Sequence, residues 1–498
     1  MKYHKISRQI GFSYANIILS LLLGPIAIFV LTRGLSVAEY GVYSILSALL
    51  STAVVIFDLG LSQYILAKLS GMEKKSLPKA FYSLLLFLIV FLFVVLSIYI
   101  LTPLNNYTLS ILKIADYPSE FSLILAMILI GASFRLFSAY LGAKKELEYQ
   151  NIFSFLDKSL WMIPVIAYFL VYGKLKFLTV IFFWFLGKSF TLLLVLIAHL
   201  KETFIFIRRK EINWQEISHG LKFGIPLIPF TLGSWIVIAA DRFMLSYYKD
   251  TQTVGLYTLA YSLATLVFSF GSVISNVLFP YISEGFHRKK DYMVLFNSSI
   301  KYCLMIIIPA TAGILALKEN IITLISGKEY LTSATIVPLL LLYPFLALIS
   351  QIYLQTMLLR GKTILLGTIF ALGAAINISL NIILIPLYSM KGAAISTIAS
   401  YLFVALAILY FSWRTIRLNP SFVKIGRMAL AAAIMGFSVD FIDPETMPAK
   451  IAIMASGAAL YAILLLLFKT FSKKELDLIK SLKKRMVKEI STYMDYFF

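Results

Sequence analysis

Residues 80–104 have the sequence AFYSLLLFLIVFLFVVLSIYILTPL, which contains no charged side chain. The hydrocarbon core of a bilayer is about 30 Å thick, and an α-helix crosses it with about 20 apolar residues. A strand of a membrane barrel would instead alternate apolar and polar residues. The stretch therefore predicts a transmembrane α-helix.

The composition of the whole chain extends this interpretation. Of its 498 residues, 60% are hydrophobic and 14% are charged, whereas soluble domains have about 45–50% apolar and about 25% charged residues. A soluble chain of this length would lack the polar residues needed to cover its surface. We therefore expect an all-α integral membrane protein.

Thirteen further runs resemble residues 80–104 in length and apolar character, so we expect about 14 transmembrane helices. The first run is long enough to cross the bilayer, and we expect it to remain as a helix and not be cleaved as a signal peptide. The runs cover residues 12–32, 40–66, 80–104, 119–143, 151–172, 177–200, 223–247, 254–283, 295–317, 334–358, 364–388, 391–413, 422–442 and 448–468.

The positive charge indicates topology and not a nucleic-acid partner. The net charge is +21, but the lysines and arginines lie in short segments between apolar runs. When a basic residue within the first three residues of a run is counted with the segment before it, one alternating set of segments holds 30 of the 45, the other set holds nine, and six lie deeper inside runs. Cytoplasmic loops carry the excess of such residues. We therefore expect a multi-pass protein of the cytoplasmic membrane, with both termini in the cytoplasm.

The last segment, residues 469–498, has a different pattern. Apolar residues recur there at helical spacing, and most lysines lie off that stripe. The pattern predicts an amphipathic helix that lies on anionic lipid; a solvated tail remains the alternative. The apolar positions are Leu476, Ile479, Leu482, Met486 and Ile490.

Nothing in the sequence indicates an enzyme. Cys303 is the single cysteine, and the four histidines are not at metal-ligand spacing. There is no nucleotide-binding glycine motif followed by Lys-Ser/Thr, and no loop exceeds about 25 residues, too few for a catalytic domain. We expect no metal and no cofactor, with H⁺ or Na⁺ open as a coupling ion.

Two stretches of the chain resemble each other. In each, a glycine precedes an apolar run, an arginine ends that run, and Gly-x-Tyr opens the next. The residues are Gly11, Arg33 and Gly41-Val42-Tyr43 in the first stretch, and Gly224, Arg242 and Gly255-Leu256-Tyr257 in the second. The repeat predicts two six-helix lobes related by a pseudo-twofold axis along the membrane normal, since six is even.

This repeat sets the expected domain organisation. The N-lobe would hold spans one to six, the C-lobe spans seven to twelve, and two extra helices would follow. The boundaries are 1–200 for the N-lobe, 201–222 for a cytoplasmic inter-lobe loop, 223–413 for the C-lobe, 414–468 for spans thirteen and fourteen, and 469–498 for the tail.

At these residues the chain resembles the polysaccharide-transporter branch, the Wzx-like flippases, of the multidrug/oligosaccharidyl-lipid/polysaccharide (MOP) exporter superfamily. The matching pieces occur in order over most of the chain. They are Leu31-Thr32-Arg33-Gly34-Leu35, Tyr40-Gly41-Val42-Tyr43, Asp58-Leu59-Gly60-Leu61, Gly224-Ile225-Pro226, Asp241-Arg242, Val254-Gly255-Leu256-Tyr257, Asn377, Asn381, Ile385-Pro386 and Lys391 to Thr397. The resemblance implies a two-lobed bundle that flips polyprenyl-linked oligosaccharides.

Basic residues inside the spans are the candidate binding residues. A charge at the bilayer centre costs about 2.5–3.5 kcal/mol on insertion scales, so it is expected to face a cavity or a partner. Arg135, Lys158 and Lys188 are deep in their spans. Arg33 and Arg242 lie near span ends, where snorkelling is an alternative. All five are predicted to line a cationic cavity that receives a lipid phosphate.

Three aspartates are the candidate counter-ions or coupling sites: Asp58 and Asp157 are the available partners for the cations of the N-terminal half, and Asp241 can serve Arg242 in the other half. Buried ion pairs that only hold helices together are the alternative to a cationic lining. Asp58 is also a candidate to bind the coupling H⁺ or Na⁺.

Spans one and seven are expected to contain paired gating kinks, since proline removes a helix hydrogen bond. The residues are Gly24, Pro25, Pro226 and Pro229.

The expected function is a flippase for a polyprenyl-(di)phosphate-linked oligosaccharide in cell-surface polysaccharide synthesis. An ion-coupled multidrug exporter or a lipid II-type flippase, both with the same fold, are the alternatives. The basic in-span residues favour an anionic substrate over cationic drugs. The expected partners are the lipid-linked oligosaccharide and membrane lipids. Polysaccharide-assembly proteins are further candidates, and no nucleic-acid partner is expected.

Overall fold

The computed structural model describes residues 19, 21–72, 76–209, 212–287, 292–413, 420–442 and 446–471. Within these residues the regular structure is helical, and they contain no β-strand. The prediction of an all-α protein is confirmed. Gly11 of the predicted repeat and nearly all of the predicted amphipathic tail lie outside the described residues.

The α-helices follow one another in chain order, with short 3₁₀ turns at Leu69–Gly71, Ile225–Leu227 and Lys328–Thr335. They are α1 (Leu21–Gly34), α2 (Val37–Phe57), α3 (Leu61–Lys68), α4 (Leu77–Leu101), α5 (Leu104–Ile111), α6 (Pro118–Ala143), α7 (Leu147–Ser159), α8 (Met162–Tyr172), α9 (Phe177–Ala198), α10 (Leu200–Arg209), α11 (Trp214–Gly224), α12 (Ile228–Tyr248), α13 (Thr251–His287), α14 (Tyr292–Ala316), α15 (Lys318–Ile325), α16 (Val337–Leu340), α17 (Tyr343–Leu359), α18 (Thr363–Tyr388), α19 (Met390–Trp413), α20 (Phe422–Asp440) and α21 (Met447–Leu467).

The number of membrane-crossing helices can be counted only over the described residues. Twelve helical segments there are long and apolar enough to cross a membrane, and the bent pair α11–α12 makes a thirteenth. Each of the 14 predicted runs overlaps a helix, but α1 is shorter because most residues before it are not described. The protein is a multi-pass membrane protein, and the count of 14 stays a prediction.

Contacts divide the chain into two compact units. The first consists of Met1–Val273 and Ile325–Arg417. In it α18 packs along both α12 and α19, and α2 packs along α6 and α12. The crossing of α2 with α13 is especially close, because Gly41 and Gly255 bring the two backbones into contact. Ser44 and Thr258, one turn further, share a hydrogen bond of 2.7 Å.

Span two is broken into α2 and α3 immediately after Asp58. Leu59 and Gly60 adopt left-handed backbone conformations with φ of 52° and 71°, which end one helix and start the next. Gly60 lies against the backbone of Gly224, where a side chain on either residue would overlap the other segment. Glycine is thus needed at this crossing for close backbone approach.

The second unit consists of Ile274–Leu324 and Leu418–Phe498. Its described core is formed by α14, α20 and α21, which pack through small and flexible apolar side chains. Met428, Ala431, Ala432 and Met435 of α20 are buried there against Tyr461 and Leu465 of α21. Small residues of this kind permit close helix packing in a membrane.

The segment predicted as an inter-lobe loop, residues 201–222, is largely helical and holds most of α10 and α11. Tyr140 and Lys144 of α6 anchor it through hydrogen bonds of 2.6 and 3.0 Å to Glu202. Burial alone would raise the pKa of the Glu202 carboxyl, but these two hydrogen bonds hold it below its usual value. The segment is therefore fixed to the N-terminal helices.

Candidate substrate-binding cavities

Asp58 and Arg135 form an ion pair at the break in span two. The Arg135 Nε lies 3.2 Å from Asp58 Oδ2. The same carboxylate accepts hydrogen bonds from the Ser62 hydroxyl (2.6 Å) and the Ser62 backbone N–H (3.2 Å). Asp58 is almost fully buried, whereas the Arg135 side chain is one-third exposed. The Arg135 Nε also donates to the Ser62 hydroxyl at 3.3 Å, and no hydrogen bond joins its other guanidinium nitrogens to the described residues.

A second ion pair joins α7 to α9. The Lys188 Nζ lies 3.0 Å from each carboxylate oxygen of Asp157. Both side chains are mostly buried, at 12% and 16% exposed. The adjacent Lys158 side chain is exposed and has no ion pair or hydrogen bond with any described residue.

The basic residues of these two ion pairs, together with Lys158, line one cavity of about 530 Å³ in the first unit, which we call the cationic cavity. Arg135, Lys158 and Lys188 are all on its wall, with Asp157 as the acidic residue among the described lining residues. The volume lies within the range of about 300–1,000 Å³ that is usual for ligand sites. Ion pairing and cavity lining therefore occur together here and do not exclude each other.

Arg242 lines a different cavity, of about 560 Å³, between α1, α2, α12 and α13, which we call the aromatic cavity. The Arg242 guanidinium carbon lies 5.3 Å from the centre of the Tyr261 ring, close enough for a cation–π contact. Its Nη1 also donates to the Ile238 carbonyl oxygen at 3.2 Å. Gly24 of α1 lies on the same wall.

Asp241 forms no salt bridge with its neighbour Arg242, although Arg242 is close enough to act on it electrostatically. Its carboxylate is buried and accepts hydrogen bonds from Tyr257 (2.6 Å), from Asn381 (2.7 Å) and from Thr397. Consecutive residues of a helix point about 100° apart, so Asp241 faces α18 and α19 while Arg242 faces the cavity. Asp241 is thus a buried acid held by neutral donors.

The remaining predicted residues are not in either cavity. The Arg33 side chain is exposed, and its Nε donates to the Ile325 carbonyl oxygen at 3.2 Å. Pro226 and Pro229 lie where α11 and α12 meet at an angle of 53° and line a smaller pocket of about 470 Å³. Pro25 lies within α1, which continues through it as helix.

The structure also places residues in the cavities that the sequence analysis did not single out. Trp235 of α12 lines both cavities, and Tyr43 and Tyr261 line the aromatic cavity. Serines at helical spacing on α2, namely Ser44, Ser47 and Ser51, form a hydroxyl stripe on the cavity side. That stripe was visible in the sequence as polar residues at i, i+3 and i+7 in an apolar run.

The described helices form a membrane-spanning bundle that encloses cavities lined by cationic side chains. Its fold is similar to those of two solved membrane proteins. The lipid II flippase MurJ in an inward closed conformation superposes with a TM-score of 0.74 at 15% identity, over 92% of this chain and 98% of that one. An inward-facing multidrug resistance MATE transporter of the MOP superfamily gives 0.56 at 13% identity, over 82% and 93%.

The sequence comparisons identify the family to which the chain belongs. Residues 30–335 match the polysaccharide biosynthesis protein family, and the chain belongs to that family. The chain is 20% identical over 207 residues to the probable low-salt glycan biosynthesis flippase Agl15 of Haloferax volcanii. The aligned region covers 41% of this chain and 44% of that protein. It spans half or less of the length of the curated relatives it matches.

Proposed function

We propose that this chain moves a polyprenyl-(di)phosphate-linked oligosaccharide across the cytoplasmic membrane, for cell-surface polysaccharide or glycan biosynthesis. The observation that carries the proposal is the cationic cavity, where Arg135, Lys158 and Lys188 line one chamber. A phosphate that leaves water for a region of low dielectric needs such groups to replace its hydration. The names of relatives such as Agl15 support the same class of substrate.

We further propose that transport occurs by alternating access of two six-helix lobes. The contacts of Gly41 with Gly255, and of Gly60 with Gly224, join the N-terminal and C-terminal halves at the start and just past the end of α2. Residues between these two levels line the cavities. Opening one contact while the other stays closed would expose the cavities to one side at a time.

A coupling ion, H⁺ or Na⁺, would bind at Asp241 in preference to Asp58. Asp58 already has a cationic partner in Arg135. Asp241 is buried among the hydroxyl and amide donors of Tyr257, Asn381 and Thr397, and no positively charged side chain is paired with it in the described part of the chain. Burial favours protonation or cation binding at this carboxylate, since its hydrogen-bond partners are neutral and the nearby Arg242 forms no salt bridge with it.

The proposed membrane is the cytoplasmic membrane, with both termini in the cytoplasm, as the 30-to-9 distribution of basic residues favours. Anionic lipid would bind the tail, and polysaccharide-assembly proteins are further candidate partners.

The multidrug exporter with the same fold is the competing function. A cavity lined by three cations and one described acid would repel cationic drugs.

The test is genetic complementation in the source organism. A strain that lacks the gene should lose surface polysaccharide and accumulate lipid-linked intermediates, and the wild-type gene should restore both. A Lys158→Gln gene, expressed at the wild-type level, should restore at most a small part, because it removes a cation that has no described partner. Normal surface polysaccharide in the deletion strain, together with a new sensitivity to cationic drugs, would replace the flippase with the exporter.

A further inference from the structure

The cationic and aromatic cavities are adjacent and share part of their walls. Ser47 and Ser51 of α2 and Trp235 of α12 line both. The two cavities therefore lie side by side, with the Trp235 side chain between them. A single elongated ligand that passes Trp235 would occupy both.

The aromatic cavity has the chemistry of a site for neutral polyols. Its wall carries aromatic rings and many hydroxyl groups, while Arg242 is its charged side chain among the described lining residues. Aromatic rings offer flat apolar faces, and nearby polar groups fix the orientation of a ligand. The C–H faces of sugar rings stack on such surfaces, and sugar hydroxyls hydrogen-bond with serine and threonine. The rings belong to Tyr40, Tyr43, Trp235, Tyr261, Phe268 and Tyr343.

Most of these rings pack against other aromatic rings, but Trp235 does not. Tyr40 packs on Tyr43 and Tyr330, and Tyr343 packs on Tyr261 and Tyr401. The Trp235 indole has no ring contact, and its N–H has no hydrogen-bond partner, among the residues that the structure describes. The N–H is not among the buried unpaired atoms of the described residues, so a ligand in the cavity can accept a hydrogen bond from it.

We propose that the aromatic cavity is the glycan subsite and that the sugar next to the phosphate stacks on Trp235. This inference rests on the proposed function and names how its substrate is divided between the two cavities. The phosphate lies among Arg135, Lys158 and Lys188, and the indole is at the junction where the first sugar must follow. The tyrosines and hydroxyl groups beyond it contact the rest of the glycan.

The test is equilibrium binding to the full-length protein in lipid nanodiscs. Three probes share one farnesyl chain: the bare diphosphate, its N-acetylglucosamine conjugate and its glucose conjugate. We expect the wild-type protein to bind both glycosylated probes about tenfold more tightly than the bare diphosphate. Trp235→Leu should bring both glycosylated probes to the affinity with which the same variant binds the bare diphosphate. Trp235→Phe should retain most of the difference.

Trp413→Ala is the matched control, because Trp413 is exposed on α19 and lines neither cavity; it should bind all probes as the wild type does. Equal binding of all three probes by the wild type would overturn the glycan subsite while the flippase proposal stands. A Trp235→Leu protein that weakens all probes equally would also overturn it, as a structural effect. A wild-type protein that binds none of them would contradict the flippase proposal itself.

Discussion

Gly41 and Gly255 contact each other in a reciprocal way. A Cβ atom on Gly41 would overlap the carbonyl oxygen of Thr251, four residues before Gly255, and a Cβ on Gly255 would overlap the carbonyl oxygen of Val37, four residues before Gly41. These are the glycines of the two Gly-x-Tyr pieces in the sequence repeat. Reciprocal contacts between equivalent residues are what a twofold relation between repeats produces.

A methyl group at this crossing should destabilise the protein. We expect Gly41→Ala or Gly255→Ala to lower the free energy of unfolding by about 1–3 kcal/mol, because the backbone atoms they meet cannot move aside independently. The measurement is the thermal unfolding midpoint of the purified protein in detergent. Gly426→Ala is the control, since Gly426 has no neighbour within 4 Å. Unchanged midpoints for both α2 and α13 variants would contradict the close packing.

A disulfide across the same crossing should stop transport. The Ser44 and Thr258 hydroxyl oxygens are 2.7 Å apart, so a Ser44→Cys/Thr258→Cys pair is well placed to cross-link once the buried Cys303 is replaced by serine. We expect oxidation to arrest transport and a reductant to restore it, because alternating access requires the two halves to separate here. The two single-cysteine proteins serve as controls. Full-rate transport by a quantitatively cross-linked protein would refute the separation.

The Lys188–Asp157 pair allows stability and function to be tested separately. Lys188→Gln should lower stability by up to about 3 kcal/mol, because it leaves a mostly buried Asp157 carboxylate without its partner. The double variant Lys188→Gln/Asp157→Asn should regain stability, since no unpaired charge remains. If Lys188 also binds phosphate, the double variant still transports poorly. Thermal unfolding and reconstituted transport measure the two effects, and restored transport in the double variant would make the pair purely structural.

Asp241→Asn should remove ion coupling. The amide keeps the size of the side chain and can still accept hydrogen bonds from Tyr257 and Thr397 but cannot bind a proton or balance a cation. In proteoliposomes we expect the variant to lose any stimulation of transport by an imposed H⁺ or Na⁺ gradient, while Asp58→Asn retains it. Stimulation of the Asp241→Asn protein at the wild-type level would exclude Asp241 as the coupling site.

The sequence was sufficient to predict the helices but not their breaks. Apolar runs of about 20 residues are a strong signal, and each predicted run overlaps a helix. The break after Asp58 depends on left-handed residues inside an apolar run, and the helices of residues 200–224 are amphipathic and too polar for the same criterion. Composition over a long window does not resolve either feature.

The same limit applies to the candidate site. Arg135 and Lys188 were predicted from the energetic penalty of a buried charge, and Asp58 and Asp157 were the available acids in the same half. Partners in three dimensions depend on how helices are rotated, which is why the sequence did not show that Asp241 accepts hydrogen bonds from Asn381 of α18 and Thr397 of α19. Trp235 carries no charge, so no penalty in the sequence distinguished it from the other aromatic residues of the spans.

The most direct measurement of the central claim uses purified protein in proteoliposomes that contain a fluorescent polyprenyl-diphosphate-linked saccharide. A quencher that does not cross the membrane reports how much of the lipid reaches the outer leaflet. We predict that the wild-type protein accelerates this movement, and that Lys158→Gln slows it at least tenfold without changing the unfolding midpoint. Equal rates in protein-free, wild-type and Lys158→Gln vesicles would contradict a phosphate-binding cationic cavity in a flippase.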